Sequence, residues 1–272
     1  MQGIHDFIST KTKTDYLNLL LGCGFDTLDF GSFVSPKAIP QLADTTEVLA
    51  GLDLANTSTK LLAIVANIRG AETACLHDEI SYLGFPFSVS ETFQQRNTNS
   101  SIADSINAVA EMQNLCLKHT KELVVYLSMG FGNHYGDPWN ADVLIHWTDK
   151  MDKMGVKILA LSDTIGTANP DSISAIFSSL IPAYPHIEFG AHLHTTPDRW
   201  REKVQAAWDN GCRRFDGAVK GFGGCPMATN TLTGNMPTEN LLAFCKENNI
   251  ETGVDSAAFQ IAFLEANKVF LG

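Results

Sequence analysis

Two histidines separated by one residue are the sharpest chemical feature of the sequence. His192 and His194 lie at the end of an apolar run that covers residues 188–192. Alternate residues of a strand point to the same face, so both imidazoles are expected on one side of it. Because neutral imidazole is a common metal ligand, the spacing predicts that both side chains bind one ion. An ordinary pair of strand-end histidines is the competing interpretation.

A glycine-rich segment forms the second chemical feature. Residues 221–226 read Gly-Phe-Gly-Gly-Cys-Pro, and Gly234-Asn235 follows shortly after. Glycines let a backbone approach a ligand closely, which predicts that Cys225 lies on an exposed loop. Asn235 offers an amide oxygen to a hard cation. With two imidazoles, oxygen ligands and water, Mg²⁺ or Mn²⁺ fits better than a closed, sulfur-rich zinc site, and Zn²⁺ is the alternative. A glycine-rich turn with an incidental cysteine is the other interpretation of the segment.

Seven apolar runs, each followed by a polar turn and most by a helical stretch, are expected to position these residues. The runs cover residues 27–30, 60–65, 79–89, 122–128, 157–161, 188–192 and 213–218. Strands that alternate with helices at this spacing predict a parallel sheet. We therefore expect a single TIM-type (β/α)₈ barrel domain over residues 1–272, with a doubly wound open sheet as the competing architecture. Residues 28–32 lack the glycine-rich phosphate turn that is typical of that alternative.

Several helix starts can be read directly from the sequence. Asn140, Asn169 before Pro170, and Thr196 before Pro197 are predicted N-caps, and Ser101 with Asp104 resembles a capping box.

In a barrel the working residues follow the carboxyl ends of the strands. The candidates for substrate binding at these positions are Asp163, Thr164, Glu91 and Asn133. Asp29 lies near the end of the first run and is a candidate catalytic group. A turn in which Asp163 stabilises loop amides is about as good an interpretation of residues 161–166, and a solvated loop is an equally good interpretation of residues 90–93.

Composition limits the class of protein. The chain has 272 residues and a formal net charge of −11, which argues against a general nucleic-acid binder. No run approaches the ~20 apolar residues that cross a bilayer, and no signal peptide is visible. The six cysteines form no CxxC pair. We therefore expect reduced thiols, a cytoplasmic location and no membrane partner.

Taken together, these segments resemble the hydroxymethylglutaryl-CoA lyase family of TIM-barrel metallolyases. The similarity rests on residues 31–41, 90–93, 162–166, the histidine pair, and residues 223–226 with 234–235. The resemblance implies divalent-metal-dependent cleavage of a 3-hydroxyacyl-CoA to acetyl-CoA and acetoacetate, with the metal as Lewis acid. An acyl-CoA is thus the expected partner, and a homodimer is one compatible assembly.

The resemblance also implies roles for particular residues. His192, His194 and Asn235 match the family's metal ligands, and Cys225 matches its loop cysteine, which serves in proton transfer. Asp29 falls where the family has a glutamate near the reacting hydroxyl. The expected catalytic group is therefore Cys225, Asp29 and His192. Lys37 and Lys220 are candidates to meet the CoA phosphates, although exposed lysines usually only contact solvent.

The chain also departs from the family pattern at four places. We expect it to begin just after the family's first strand, whose Arg-Asp pair then has no counterpart. Asp29 is one methylene shorter than the family's glutamate, the residues after His194 differ, and residues 129–135 lack the family's Cys-Pro. Besides these four departures, the loop from Cys225 to Asn235 is one residue longer. A non-catalytic metal-binding or acyl-CoA-binding barrel and a condensing synthase relative are therefore the alternative functions.

Overall fold

Seven parallel strands form the central sheet of the computed structural model, which describes residues 1, 4, 6–224 and 233–270. The strands lie in chain order, each hydrogen-bonded to the next. They are β1 (Thr27–Ser32), β2 (Lys60–Ile64), β3 (Ile80–Ser88), β4 (Glu122–Ser128), β5 (Ile158–Asp163), β6 (Glu188–Thr195) and β7 (Arg214–Phe215). A two-residue strand, β8 (Gly234–Asn235), pairs antiparallel with the end of β6. All seven predicted strands are confirmed.

The sheet curls, and side chains from its concave face meet inside it. Apolar residues from β2 to β5 form a small buried cluster there, separate from the main core. The cluster comprises Leu62, Tyr82, Val124, Ile158 and Ala160. These positions alternate along their strands with residues that face the helices, as expected for parallel strands buried on both faces. The predicted α/β barrel class is confirmed, with β1 and β7 at the two ends of the described strand order.

Ten helices in the described part of the chain accompany the sheet. They are α1 (Thr10–Leu21), α2 (Thr45–Ala50), α3 (Ile68–Cys75), α4 (Glu91–Thr98), α5 (Ile102–Lys118), α6 (Ala141–Lys153), α7 (Pro170–Ala183), α8 (Trp200–Asp209), α9 (Thr238–Glu247) and α10 (Ser256–Phe270). Short 3₁₀ turns lie at Pro40–Leu42 and Val219–Gly221. Among the described residues, none of these helices has the length and apolar character needed to span a bilayer.

Three of the four predicted helix starts are confirmed. The side chains of Ser101, Asn140 and Asn169 each accept a backbone N–H in the first turn of their helix. The prediction at Thr196 is wrong, since α8 begins at Trp200 and no side chain caps it. The Thr196 hydroxyl instead hydrogen-bonds the carboxylate of Asp198 at 2.7 Å, so it is used within the turn.

Candidate active site

The two histidines lie at the carboxyl end of β6, with ring centroids 5.6 Å apart. His192 leaves 33% of its side chain exposed, whereas His194 is only 3% exposed. The side chains share a face because they alternate along one strand. The arrangement therefore has a buried imidazole beside one that is open to the mouth of the curled sheet.

Asn235 lies beside this pair although it is 41 positions further along the chain. Its backbone pairs with His194 through β8. The Asn235 Nδ2 donates to the carbonyl of Phe222 at 2.9 Å, which leaves the amide oxygen as the atom able to bind a cation. The structure thus brings together the three side chains that were predicted to bind metal. Their role as ligands stays a prediction.

Burial sets the protonation state of His194. Loss of hydration, with additional repulsion from His192 and Lys203, lowers the pKa of the His194 imidazole to about 3. The ring is therefore neutral at pH 7, the form that a metal ion needs. Its Nδ1 is buried and has no hydrogen-bond partner. An unpaired buried nitrogen is costly for a folded protein and is explained if an ion completes the site.

Asp216 is a site residue that sequence analysis missed. Its Oδ2 lies 3.1 Å from Nδ1 of His192, and it directly follows β7. A carboxylate on one ring nitrogen fixes the orientation of the imidazole and leaves the other nitrogen for a ligand. The signal was present in the sequence, because Asp216 is an acidic residue within the apolar run at 213–218.

We expect Asp216→Asn to weaken binding of Mn²⁺ by about 10-fold to 100-fold, because loss of such a supporting partner has effects of this size. Calorimetric titration with Mn²⁺ measures the change. The matched control is Asp209→Asn, because Asp209 is exposed and its carboxylate accepts from the side chain of Gln205 on the same helix, α8. Equal affinities for the wild type and Asp216→Asn would contradict the supporting role.

Asp29 was expected at the end of the first strand but lies inside β1, where its carboxyl interacts electrostatically with Asp216 and His192. Asp29 keeps exposed surface, yet the protein around its carboxyl reduces hydration and raises its pKa to about 7. Asp216 raises this pKa further, whereas the Met1 amino group and His192 lower it. A carboxyl that titrates near neutrality can accept a proton from a substrate and return it.

The ring of Tyr126 lies edge-on to His192, with centroids 5.3 Å apart. Burial, together with the charges of Asp216 and Asp29, raises the pKa of this phenol well above its usual value. Tyr126 therefore stays protonated and places an uncharged ring beside His192.

In this structure, Asp163 and Thr164, two of the predicted substrate-binding residues, bond to other parts of the protein. Asp163 is 1% exposed and pairs with Lys203 Nζ at 2.7 Å. The Thr164 hydroxyl accepts the N–H of Met129 at 2.8 Å. Their polar atoms are therefore engaged with the protein, and a contact with substrate stays a prediction.

Lys203 is a second residue that sequence analysis missed. Its ammonium group also donates to the carbonyls of His194, at 2.8 Å, and Gly166, at 3.1 Å. It thus joins the end of β5 to the backbone of one histidine. Lys203 falls on the same helical face as the apolar residues of α8, which is the signal that could have found it.

Glu91 and Asn133, the other predicted substrate-binding residues, also form hydrogen bonds with residues close to them in the sequence. Glu91 accepts from the Gln95 side chain and from the N–H of Ile102. The Asn133 amide closes the loop at 133–137 by bonding the backbone of Asp137 in both directions. No described contact joins Glu91 or Asn133 to the histidine pair.

Asp137 connects the loops that follow β3 and β4. Its carboxylate accepts from the Ser90 hydroxyl and from both the N–H and the hydroxyl of Thr92. The Ser90 hydrogen bond is the main reason that the pKa of Asp137 is lowered. The link orders one side of the mouth.

Cys225, the predicted catalytic cysteine, lies outside the described residues. Among the residues that the structure describes, no group of three or more His, Cys, Asp or Glu side chains could hold a metal. A cation site here therefore depends on the amide oxygen of Asn235 in addition to the imidazoles.

The fold and the site define a class: an α/β barrel protein whose polar side chains gather at the carboxyl ends of parallel strands. Within that class, the HMGL-like family model matches residues 1–262, and the chain belongs to this family. The chain is 32% identical over 248 residues to the hydroxymethylglutaryl-CoA lyase YngG of Bacillus subtilis, covering 91% of this chain and 82% of that protein. It is 30% identical to the 3-hydroxy-3-isohexenylglutaryl-CoA/hydroxymethylglutaryl-CoA lyase of Pseudomonas aeruginosa, covering 92% and 83%.

Solved structures agree with this assignment. The HMG-CoA lyase of Brucella melitensis superposes with a TM-score of 0.91 at 29% identity, covering 100% of this chain and 95% of that one. An HMG-CoA lyase of Acinetobacter baumannii, solved with coenzyme A and 3-methylmalate, also gives 0.91 at 28% identity, covering 99% and 87%. The resemblance read from the sequence motifs is confirmed.

Proposed function

We propose that this protein is a carbon–carbon lyase that cleaves 3-hydroxy-3-methylglutaryl-CoA, or a closely related 3-hydroxyacyl-CoA, to acetyl-CoA and acetoacetate or a related oxoacid. The observation that carries the proposal is the group formed by His192, His194 and Asn235 beside Asp29, in a chain of the HMGL-like family. The names of the matched relatives support the substrate class. The structural relative bound to coenzyme A supports an acyl-CoA as the ligand.

We propose further that the site holds a divalent cation, Mg²⁺ or Mn²⁺. His192, His194 and Asn235 would bind it. Three features of these residues fit such an ion: the unpaired Nδ1 of the neutral His194, the carboxylate that orients His192, and the amide oxygen left by the Phe222 hydrogen bond. Once bound, the ion would act as a Lewis acid on substrate oxygens.

The residues of the chain would divide the proton chemistry. Asp29 accepts the proton of the C3 hydroxyl, and the electron pair of that O–H bond forms the new carbonyl. The bond between C2 and C3 then breaks, and its electrons form the enolate of acetyl-CoA. Cys225 delivers a proton to the enolate carbon, a role taken from the family resemblance.

Asp29 predicts a pH dependence. Because its pKa is raised to about 7, the carboxyl is mostly protonated at pH 6 and mostly ionised at pH 8. Activity should therefore rise with pH through about 7, and a bound cation would move the midpoint lower. Asp29→Asn should lower kcat by about 100-fold or more and abolish the rise of activity with pH through about 7. The control is Asp26→Asn, which changes the carboxylate just before the same strand and should keep the wild-type pH profile. The same rise of activity with pH in Asp29→Asn would contradict the assignment of Asp29 as the base.

The direct test is incubation of the protein with Mg²⁺ or Mn²⁺ and 3-hydroxy-3-methylglutaryl-CoA, with both products quantified. Release of acetyl-CoA and acetoacetate in equal amounts supports the lyase. Binding of Mn²⁺ by calorimetry without turnover would instead favour a non-catalytic barrel. Consumption of acetyl-CoA with a 2-oxoacid would favour the synthase relative.

Other expectations from the sequence stay predictions. They are a cytoplasmic location, the homodimer, the preference for Mg²⁺ or Mn²⁺, and the absence of nucleic-acid or membrane partners.

A further inference from the structure

Lys220 has an unusual backbone conformation close to the site. It lies in the 3₁₀ turn Val219–Gly221 with φ 61° and ψ 14°, the left-handed region that side chains other than glycine rarely adopt. Such strain persists only where surrounding contacts hold it in place. The contacts of Lys220 are therefore informative.

Two helices hold this residue. Its Nζ lies 3.5 Å from the ring centroid of Phe263 on α10, a cation–π geometry. Its backbone N–H donates to a carboxylate oxygen of Glu239 on α9 at 2.9 Å. Both ends of the residue are thus engaged by helices that lie outside the sheet.

The residue that follows the turn, Phe222, contacts both α10 and Asn235. The Phe222 ring packs on Phe270 of α10 at 4.9 Å, and the Phe222 carbonyl accepts from Asn235 Nδ2. Gly221 and Gly223 allow this approach, since a Cβ on either would come within 2.9 Å of an Asn235 atom. The segment 219–223 is therefore packed between α10 on one side and the Asn235 amide on the other.

We propose that Lys220 is a positioning residue: its contact with Phe263 holds the turn that orients the Asn235 amide, so that α10 supports the cation site. This inference rests on the proposed function, because Asn235 is taken there as a ligand. It differs from the expectation that Lys220 meets a CoA phosphate, since the ammonium group lies over an aromatic ring.

Four variants test the proposal. Lys220→Met and Phe263→Leu each remove one side of the cation–π contact. Lys220→Arg keeps a cation for the ring. Lys220→Gly accepts the left-handed backbone but removes the ammonium group. Lys246→Met, which changes an exposed lysine in the last turn of α9, is the control. Circular dichroism and thermal melting check that each variant folds.

The first readout is Mn²⁺ affinity by calorimetry. We expect about 10-fold weaker binding in Lys220→Met, Phe263→Leu and Lys220→Gly, and affinity near wild type in Lys220→Arg and Lys246→Met. Affinity within twofold of wild type in both Lys220→Met and Phe263→Leu would overturn the proposal. A raised KM for acyl-CoA with unchanged Mn²⁺ affinity would also overturn it, in favour of a phosphate contact.

The second readout is amide hydrogen exchange across residues 219–224 in metal-free protein. Exchange should become faster in Lys220→Met and Phe263→Leu but not in Lys220→Arg. Unchanged exchange would overturn the proposal without touching the proposed function. Absence of Mn²⁺ binding by the wild type would overturn the cation site itself, and with it the role assigned to Lys220.

Discussion

His194→Ala is expected to abolish measurable Mn²⁺ binding and to lower acetyl-CoA release by more than about 100-fold. Loss of residues that only support a ligand already costs 10-fold to 100-fold, so loss of a ligand should cost more. The neutral imidazole has no other described partner for its Nδ1, so the substitution removes a nitrogen that fits a cation. Calorimetry with Mn²⁺ and a product assay at saturating substrate measure the two effects.

The control for this substitution is His146→Ala, which removes an exposed imidazole from α6. Both variants should fold, because alanine at position 194 leaves the backbone pairing with Asn235 in place. Retention of wild-type affinity for Mn²⁺ in His194→Ala would remove the cation site from the pair of histidines.

Lys203→Met is expected to have the largest effect on stability, about 3–5 kcal/mol in the free energy of unfolding. Lys203 and Asp163 are each only 1% exposed, so methionine leaves a buried carboxylate without its cation. The carbonyls of His194 and Gly166 lose their donor as well. Urea denaturation followed by circular dichroism gives the free energy of unfolding.

The matched control is Lys268→Met, which breaks the exposed pair with Glu265 on α10 and should cost at most about 1 kcal/mol. Addition of Asp163→Asn to Lys203→Met should recover part of the loss, because the unpaired charge disappears. If Lys203→Met is as mild as the control, the pair is not the main link between β5, β6 and α8.

Local patterns predicted the elements of the fold well. Apolar runs found all seven strands, because strands buried on both faces must be apolar. Asn140, Asn169 and Ser101 marked helix starts because their side chains bond the adjacent backbone. The predicted N-cap at Thr196 was wrong because its hydroxyl hydrogen-bonds the Asp198 carboxylate and does not cap α8.

The site was predicted only in part. His192 and His194 could be paired from the sequence because two-residue alternation on a strand is a local rule. Asp29 was expected at a strand end but lies inside β1, and its raised pKa depends on protein that folds around it. The predicted substrate contacts of Asp163 and Thr164 rested on position alone, which does not reveal that Lys203 and Met129 occupy their polar atoms.

The sequence by itself determined the family, the strand-and-helix order and the paired histidines, since each depends on residues close together in the chain. Only the tertiary structure decided which distant groups support them. Asp216 is 24 positions from His192 and Lys203 is 40 from Asp163, so these contacts exist only once the sheet has curled. Long-range contacts depend on how whole elements pack, and no local spacing encodes that packing.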